Sequence, residues 1–495
     1  MANLINESEI RSTWSPIIES ATGINDAEKL AWMSTYCHNH KLYEDASFMS
    51  LDPAMNLKGM GATTLPQGIA NGVSSANGSG DKAPSLLPLA MQVAAQTIGL
   101  DLVPVVPMAG PMGLLSYLDF VYEGGRLDGT KNGGDTVAPT YIKADKTEAG
   151  VADIAAGTPA TNAGYEFIGA SRIDGKSIFK VVGELVEDTV AADLAAGTGA
   201  AAADLEVELV KALEDHIRGF AGDGEDANGY SKPFSREDGE RTPDKLMGLS
   251  LFSKSVAAET FQVAAAVTRE QVQDLKQFGV DAVAQVEAVL TNELTQSINQ
   301  YILGRLRSLG NTNVTDSGVD FDLTLPTVAA AAGGETVPSL HRQILTQILA
   351  AANFIANRGR RGAGNFAVVG AQVGTVLQSI AGFVANPMAN TFAQSAGAIY
   401  PLGSVAGINI YTDPTLGWNN YDITVGRKGD GNGPGVVFMP YLMAESVQTI
   451  AEGTMAPKVA VKSRFALVDA GFHPETQYVT FTIDGAWTNL LNLSA

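Results

Sequence analysis

Cys37, His38 and His40 fall within four positions of one another, a cluster of zinc-type ligands. A zinc site needs a further Cys or His pair at ligand spacing. With one cysteine and five histidines in the whole chain, none follows, so the trio is expected to be an ordinary helix end and no cofactor or metal is expected. Gly175, Lys176 and Ser177 have the form of the end of a phosphate-binding loop, but the position five before Gly175 is Ala170, so the cradle lacks its first glycine and a β-turn is the better reading. Gly359, Gly362 and Gly364 keep a GxxGxG spacing. They follow a helical pattern and precede a strand, whereas a dinucleotide cradle runs strand, loop, helix; we read them as a helix stop with left-handed glycines. The same loop carries Arg358, Arg360 and Arg361, which are either a solvated basic turn or a grip on another chain's acidic surface. Lys462 and Arg464 alternate with Val461, Ser463 and Phe465 as on a half-exposed strand; solvation is the ordinary reading and an intersubunit salt bridge the functional one. No GxSxG, HExxH or paired-cysteine signature occurs, so no catalytic residue is assigned and the chain is not expected to be an enzyme.

The elements that would hold these residues are organised around one long stretch. Thr268 and Gln271 have the capping-box spacing, and Asp281 caps a second run. From there Val283, Val286, Leu290, Leu294 and Ile298, then Tyr301 with Ile302 and Leu306, recur at three or four, predicting a spine helix that stops at Gly310. Asp281 to Leu309 would span roughly 40–45 Å. Before it, Ser8 to Ile18 and Asp26 to Tyr43 are predicted as two peripheral helices, 50–84 as an extended arm or linker, Pro88 to Ile98 as a short helix, and Leu100 to Val106 and Leu114 to Tyr122 as strands. Glu123 to Met247 has little regularity beyond a predicted helix from Asp204 to Phe220 buried through Leu205, Leu209 and Leu213, and is read as a long insertion returning through a strand at Thr260 to Val267. After the spine, Asn311 to Pro338 is a connection. Ser339 to Asn357 is helical, Phe366 to Val369 a strand and Gln372 to Ile380 a helix, the order of an α/β unit, and short strands dominate from Gly407 onward.

Composition narrows the function classes. A chain of 495 residues exceeds one compact core, and roughly three packing units are expected. Fifty-three glycines, 17% charged residues and 7% aromatics favour extended, loop-rich elements. Its 32 basic and 53 acidic residues give −21, a charge that repels phosphate backbones, so sequence-specific DNA binding is not expected. The residues after Met1 include Asn6, Glu7 and Glu9 where a secretion signal needs an apolar core, so no signal is expected. The most apolar region, Leu86 to Leu118, is broken by Pro88, Asp101, Pro104, Pro107 and Pro111, so no membrane span is expected.

Taken in order, a Gly-rich arm, GLDLVPVVPMAGPMG entering a strand, a long excursion and return, the spine helix, an α/β unit ending in RGRRGAGNFAVV and a closing KSRFAL strand resemble the major capsid proteins of tailed double-stranded-DNA bacteriophages, T-even type. The resemblance is best at 99–122, 260–309 and 339–480. It implies an α+β Hong-Kong-type capsid fold: an N-terminal helical segment (1–60), an N-terminal arm with the first peripheral strands (61–122), an extended loop with its insertion (123–259), a peripheral domain on the spine helix (260–338), an axial domain (339–443) and C-terminal peripheral strands (444–495). It also implies self-assembly into hexamers, often pentamers too, of an icosahedral head around packaged DNA bound without sequence specificity. The partners it implies are a scaffold, a portal, a maturation protease and, in some heads, decoration proteins; the location is the virion, reached through the host cytoplasm. T-even relatives are cleaved after a glutamate preceded two residues earlier by Leu or Ile. Ile17-Ile18-Glu19 and Leu42-Tyr43-Glu44 have that form, making Glu19 and Glu44 candidate cleavage points. Three alternatives stand beside this reading: a pentamer-forming vertex paralogue of the same fold, an acidic surface-layer or adhesive protein, and an enzyme with a pocket between 339 and 443.

Overall fold

The computed structural model describes residues 7–51, 87–124, 141–144, 164–171, 177–182, 207–212, 230–240, 245–277, 281–325, 337–385, 399–429, 433, 435–450 and 456–485. The fold is α+β, with helices and sheets packed into two large apolar cores and one small one.

In order of sequence the elements are helices α1 (Glu7–Thr22), α2 (Ala27–Leu51) and α3 (Leu87–Gln96), followed by a 3-10 turn (Ile98–Asp101). Strands β1 (Met112–Gly124), β2 (Tyr141–Ala144), β3 (Gly164–Ser171), β4 (Ser177–Val182), β5 (Val207–Ala212), β6 (Lys245–Ala257) and β7 (Glu259–Ala266) come next, with a single helical turn (Arg236–Gly239) between β5 and β6. Helices α4 (Arg269–Gln277) and α5 (Ala282–Ser317) precede β8 (Leu323–Leu325), α6 (Val337–Gly359), β9 (Phe366–Val369) and α7 (Ala371–Gln378). The chain closes with β10 (Val384–Ala385), β11 (Tyr400–Val405), β12 (Ile408–Thr412), β13 (Ile423–Gly426), β14 (Gly435–Ile450), β15 (Pro457–Ala470), a 3-10 turn (Pro474–Gln477), β16 (Tyr478–Phe481) and β17 (Ile483–Gly485).

The spine is α5. Asp281 Oδ1 accepts from Val283 N at 3.0 Å and Ala284 N at 3.5 Å, which fixes its start. The helix does not stop at Gly310. It runs on to Ser317 and ends at Gly318, whose φ of 62° closes the last turn. Its 36 residues span about 54 Å. Gly310 serves a different purpose: a Cβ there would lie 2.7 Å from Thr480 N, so its lack of a side chain lets the helix press against β16.

Two sheets pack against the spine. The strands β14, β15 and β7 form an antiparallel sheet, with β7 paired to β15 from Lys458↔Ala266 to Phe465↔Glu259. A second sheet has the order β10-β11-β12-β9-β13-β16, parallel only between β12 and β9. Strand β9 is buried throughout and divides the cores by the two-residue alternation of a strand: Phe366 and Val368 join the core around α5, Ala367 and Val369 the core under α6 and α7.

Several expectations change. The helices α1 and α2 are not peripheral: Trp14, Ile18, Met33, Tyr36 and Cys37 belong to the spine's core. Leu100 to Val106 is a 3-10 turn and an isolated bridge, Val105 to Phe438, because Pro104 and Pro107 break any strand. The predicted helix at Asp204 to Phe220 is strand at Val207–Ala212, paired with β1 and β2; the rest of that stretch lies outside the described residues. Far from an irregular excursion, β1-β5-β2-β4-β3-β6 close into a barrel, with β1 and β6 matched along their full length. Nor is 311–338 all connection, since its first seven residues are the end of α5.

Candidate functional site

Burial pushes the Cys37 thiol up to about 12, and the side chain packs in the apolar core around α5. Among the described residues no group of three or more His, Cys, Asp and Glu could hold a metal ion. Gly175 and Lys176 lie outside the described residues, and Ser177 opens β4.

The glycine-rich loop is where sequence and structure diverge most usefully. Gly359 is the last residue of α6 and faces the 3-10 turn, where a Cβ would meet Gln477 Nε2 at 2.7 Å. Gly364 lies 3.2 Å from the Ala352 backbone by the same measure. Two positions of the loop take positive φ, Arg360 at 51° and Gly362 at 128°, so the stop uses one glycine of the expected kind and one arginine. Arg360 is exposed, Arg358 and Arg361 half-exposed. Lys428 N donates to Asn365 Oδ1 at 2.9 Å, and Asn365 N donates to Gly426 O at 2.9 Å, so the loop is tied to the end of β13. That tie brings in Arg427, which the sequence reading did not single out.

Lys462 pairs with Glu445, its cross-strand neighbour on β14, at 2.8 Å. Arg464 lies over the Tyr441 ring at 5.7 Å. Both cations are thus engaged within the chain. Of the spine residues, Leu290, Leu294 and Ile298 are buried, whereas Val283 and Val286 only border the core. Glu19 is exposed on α1 next to the fully buried Ile18, and Glu44 lies within α2.

Sequence reasoning missed the polar pins of the body. On α5, Asn299 Oδ1 accepts from Gly99 N at 2.9 Å and Asn313 Nδ2 donates to Tyr478 O at 2.8 Å. The α1–α2 pair is fastened by Lys29 to Asp101 at 2.7 Å, Lys428 to Glu28 at 2.6 Å, and Met443 N donating to Tyr36 Oη at 2.9 Å. Burial raises the Asp101 carboxyl above its usual range, and the Lys29 ammonium opposes that rise. Buried His473 Nδ1 meets Glu475 Oε1 at 2.9 Å in the turn before β16. An open groove of about 680 Å³ runs between β6, α5 and β15; across it Arg305 pairs with Asp469 and Tyr301 Oη donates to Glu259 at 3.5 Å. These are supports between elements, though buried Asn299 Nδ2 and Asn313 Oδ1 have no hydrogen-bond partner among the described residues.

The model of the family described as "Major capsid protein Gp23" matches residues 79–489. The chain belongs to that family. The major capsid protein of Enterobacteria phage T4 is 26% identical over 240 residues, covering 46% of this chain and 45% of that one. That of Serratia phage KSP90 is 24% identical over 267 residues, covering 50% and 57%. The chain thus spans about half the length of the relatives it matches. Among solved structures, the capsid of Myoviridae phage XM1 aligns over 50% of this chain and 80% of that one at 11% identity and a TM-score of 0.31. The family match starts at residue 79, so α1 and α2 lie outside it although they complete the same core.

Proposed function

We propose that the chain is the repeating tile of a tailed-phage head, a structural subunit that is not an enzyme and that assembles with its own copies into hexamers, and at vertices pentamers, around packaged DNA. The observation that carries this reading is the family match over most of the chain. In this reading 339–443 lies toward the capsomer centre, α5 with β7 and the strands of 444–495 forms the periphery, and the β1–β6 barrel reaches a neighbour. The site of action is the virion, with a scaffold, a portal and a maturation protease as assembly partners and DNA held without sequence readout. Among the described residues no helix is long and apolar enough to cross a membrane. Cleavage after Glu19 or Glu44, if maturation includes it, acts while α1 and α2 are undocked, because a protease requires locally opened backbone and both residues are helical.

The test is to express the chain alone and with a scaffold and to image it by negative-stain microscopy. Rings or closed shells are expected. A stable monomer under every condition would overturn the proposal.

A further inference from the structure

We infer that the 358–365 loop with Arg427 is a preorganised carboxylate-binding surface through which one copy of the chain grips the acidic surface of the next. This rests on the shell reading and names the chemistry of one of its contacts.

Three observations carry it. First, the chain places cations together where its overall charge is −21. Arg358, Arg360 and Arg361 lie at the end of α6, and a Cβ on Gly362 would sit 3.2 Å from Arg427 Nε, so a guanidinium from the end of β13 lies against the same loop. Second, Arg358 and Arg360 make no ion pair among the described residues, although carboxylates outnumber cations in the chain and Lys29, Lys428, Arg307 and Lys462 have each found one. Third, Arg360 occupies a left-handed backbone position that glycine would take without strain. Glycines stand at 359, 362 and 364, yet the residue at the tip carries a guanidinium. Bonds from Asn365 to Lys428 and Gly426, from Gly364 N to Ala352 O and from Arg360 N to Ala356 O tether the loop at both ends, which lowers the order lost when a partner docks.

The partner's chemistry follows from charge. Copies at −21 repel one another, and association needs a local patch of opposite sign to offset that repulsion. Planar guanidinium forks suit carboxylates, which each neighbouring copy supplies in excess. A patch that is basic on one copy and meets acid on the next is a head-to-tail contact, the kind that closes rings.

The decisive variant is Arg360→Gly. Glycine relieves the strained backbone, so the free subunit should melt at or above the wild-type temperature. The concentration needed for half-maximal ring formation, read by sedimentation, should rise about tenfold, as for loss of one charge-assisted contact. Arg358→Glu with Arg360→Glu should abolish rings at low salt, and raising the salt should weaken wild-type assembly more than that of Arg360→Gly. Equal ring formation by wild type and Arg360→Gly overturns the inference while leaving the shell reading intact. So does a double variant that assembles normally but no longer retains duplex DNA in a filter assay, because the surface would then serve phosphates. A wild-type chain that never forms rings removes both.

Discussion

The two ends of the spine helix carry the same apolar repeat and meet different fates. From Leu290 to Asn313 the inward face is sealed: Leu294, Ile298, Ile302 and Leu306 show no exposed surface worth counting, and Asn299 and Asn313 are pinned to Gly99 and Tyr478. From Ala282 to Val289 the repeat continues through Val283 and Val286, yet both are only half-buried and Val289 is 67% exposed. The neighbours of that end share its condition, for α4 buries no residue and β7 is exposed at every other position. Periodicity specifies which way a face points, whereas burial depends on whether anything in the same chain reaches it. In the tile proposed above, the sealed end would hold the subunit together and the open end would be where other copies add surface.

That contrast can be broken from the sealed side. Leu294→Asp places an unpaired carboxylate in the fully buried part of the spine and should cost about 4 kcal/mol or more, enough to leave little folded subunit, read as loss of the cooperative melting transition and of all particles. Gly310→Ala should cost about 1–3 kcal/mol, because the added methyl meets the backbone of Thr480 and the helix must lift from β16; denaturant unfolding would show it. Asp281→Ala, at the open end, removes the side-chain acceptor for two helix amides and should cost about 1 kcal/mol or less, measured the same way. A loss at Asp281 as large as that at Gly310 would mean the open end is as integral to the subunit as the sealed one.

Local signals were legible in the sequence. The Thr268–Gln271 box forms with both reciprocal bonds, Gln271 N to Thr268 Oγ1 at 3.3 Å and Thr268 N to Gln271 Oε1 at 3.2 Å, and Asp281 caps as its position dictates. What failed was whatever depended on distant partners. Glycine stands at both 310 and 318, and only contact with Thr480 explains why the helix passes the first and ends at the second. Leu205, Leu209 and Leu213 have helical spacing, but pairing with β1 and β2 makes 207–212 a strand, tertiary context overriding a local period. The first two helices read as peripheral because Tyr36 meets its partner at Met443, more than four hundred residues away. Likewise the candidate contact surface was visible only in part: three arginines are adjacent in sequence, while the fourth arrives through the neighbouring strand β13.

Amide hydrogen exchange on free subunits and on assembled particles compares the two ends of the spine directly. Residues 290–313 should exchange slowly in both states, and 259–289 should slow by about tenfold or more on assembly. Unchanged exchange across 259–289 in intact particles would contradict the account, because the open end would then owe nothing to neighbouring copies.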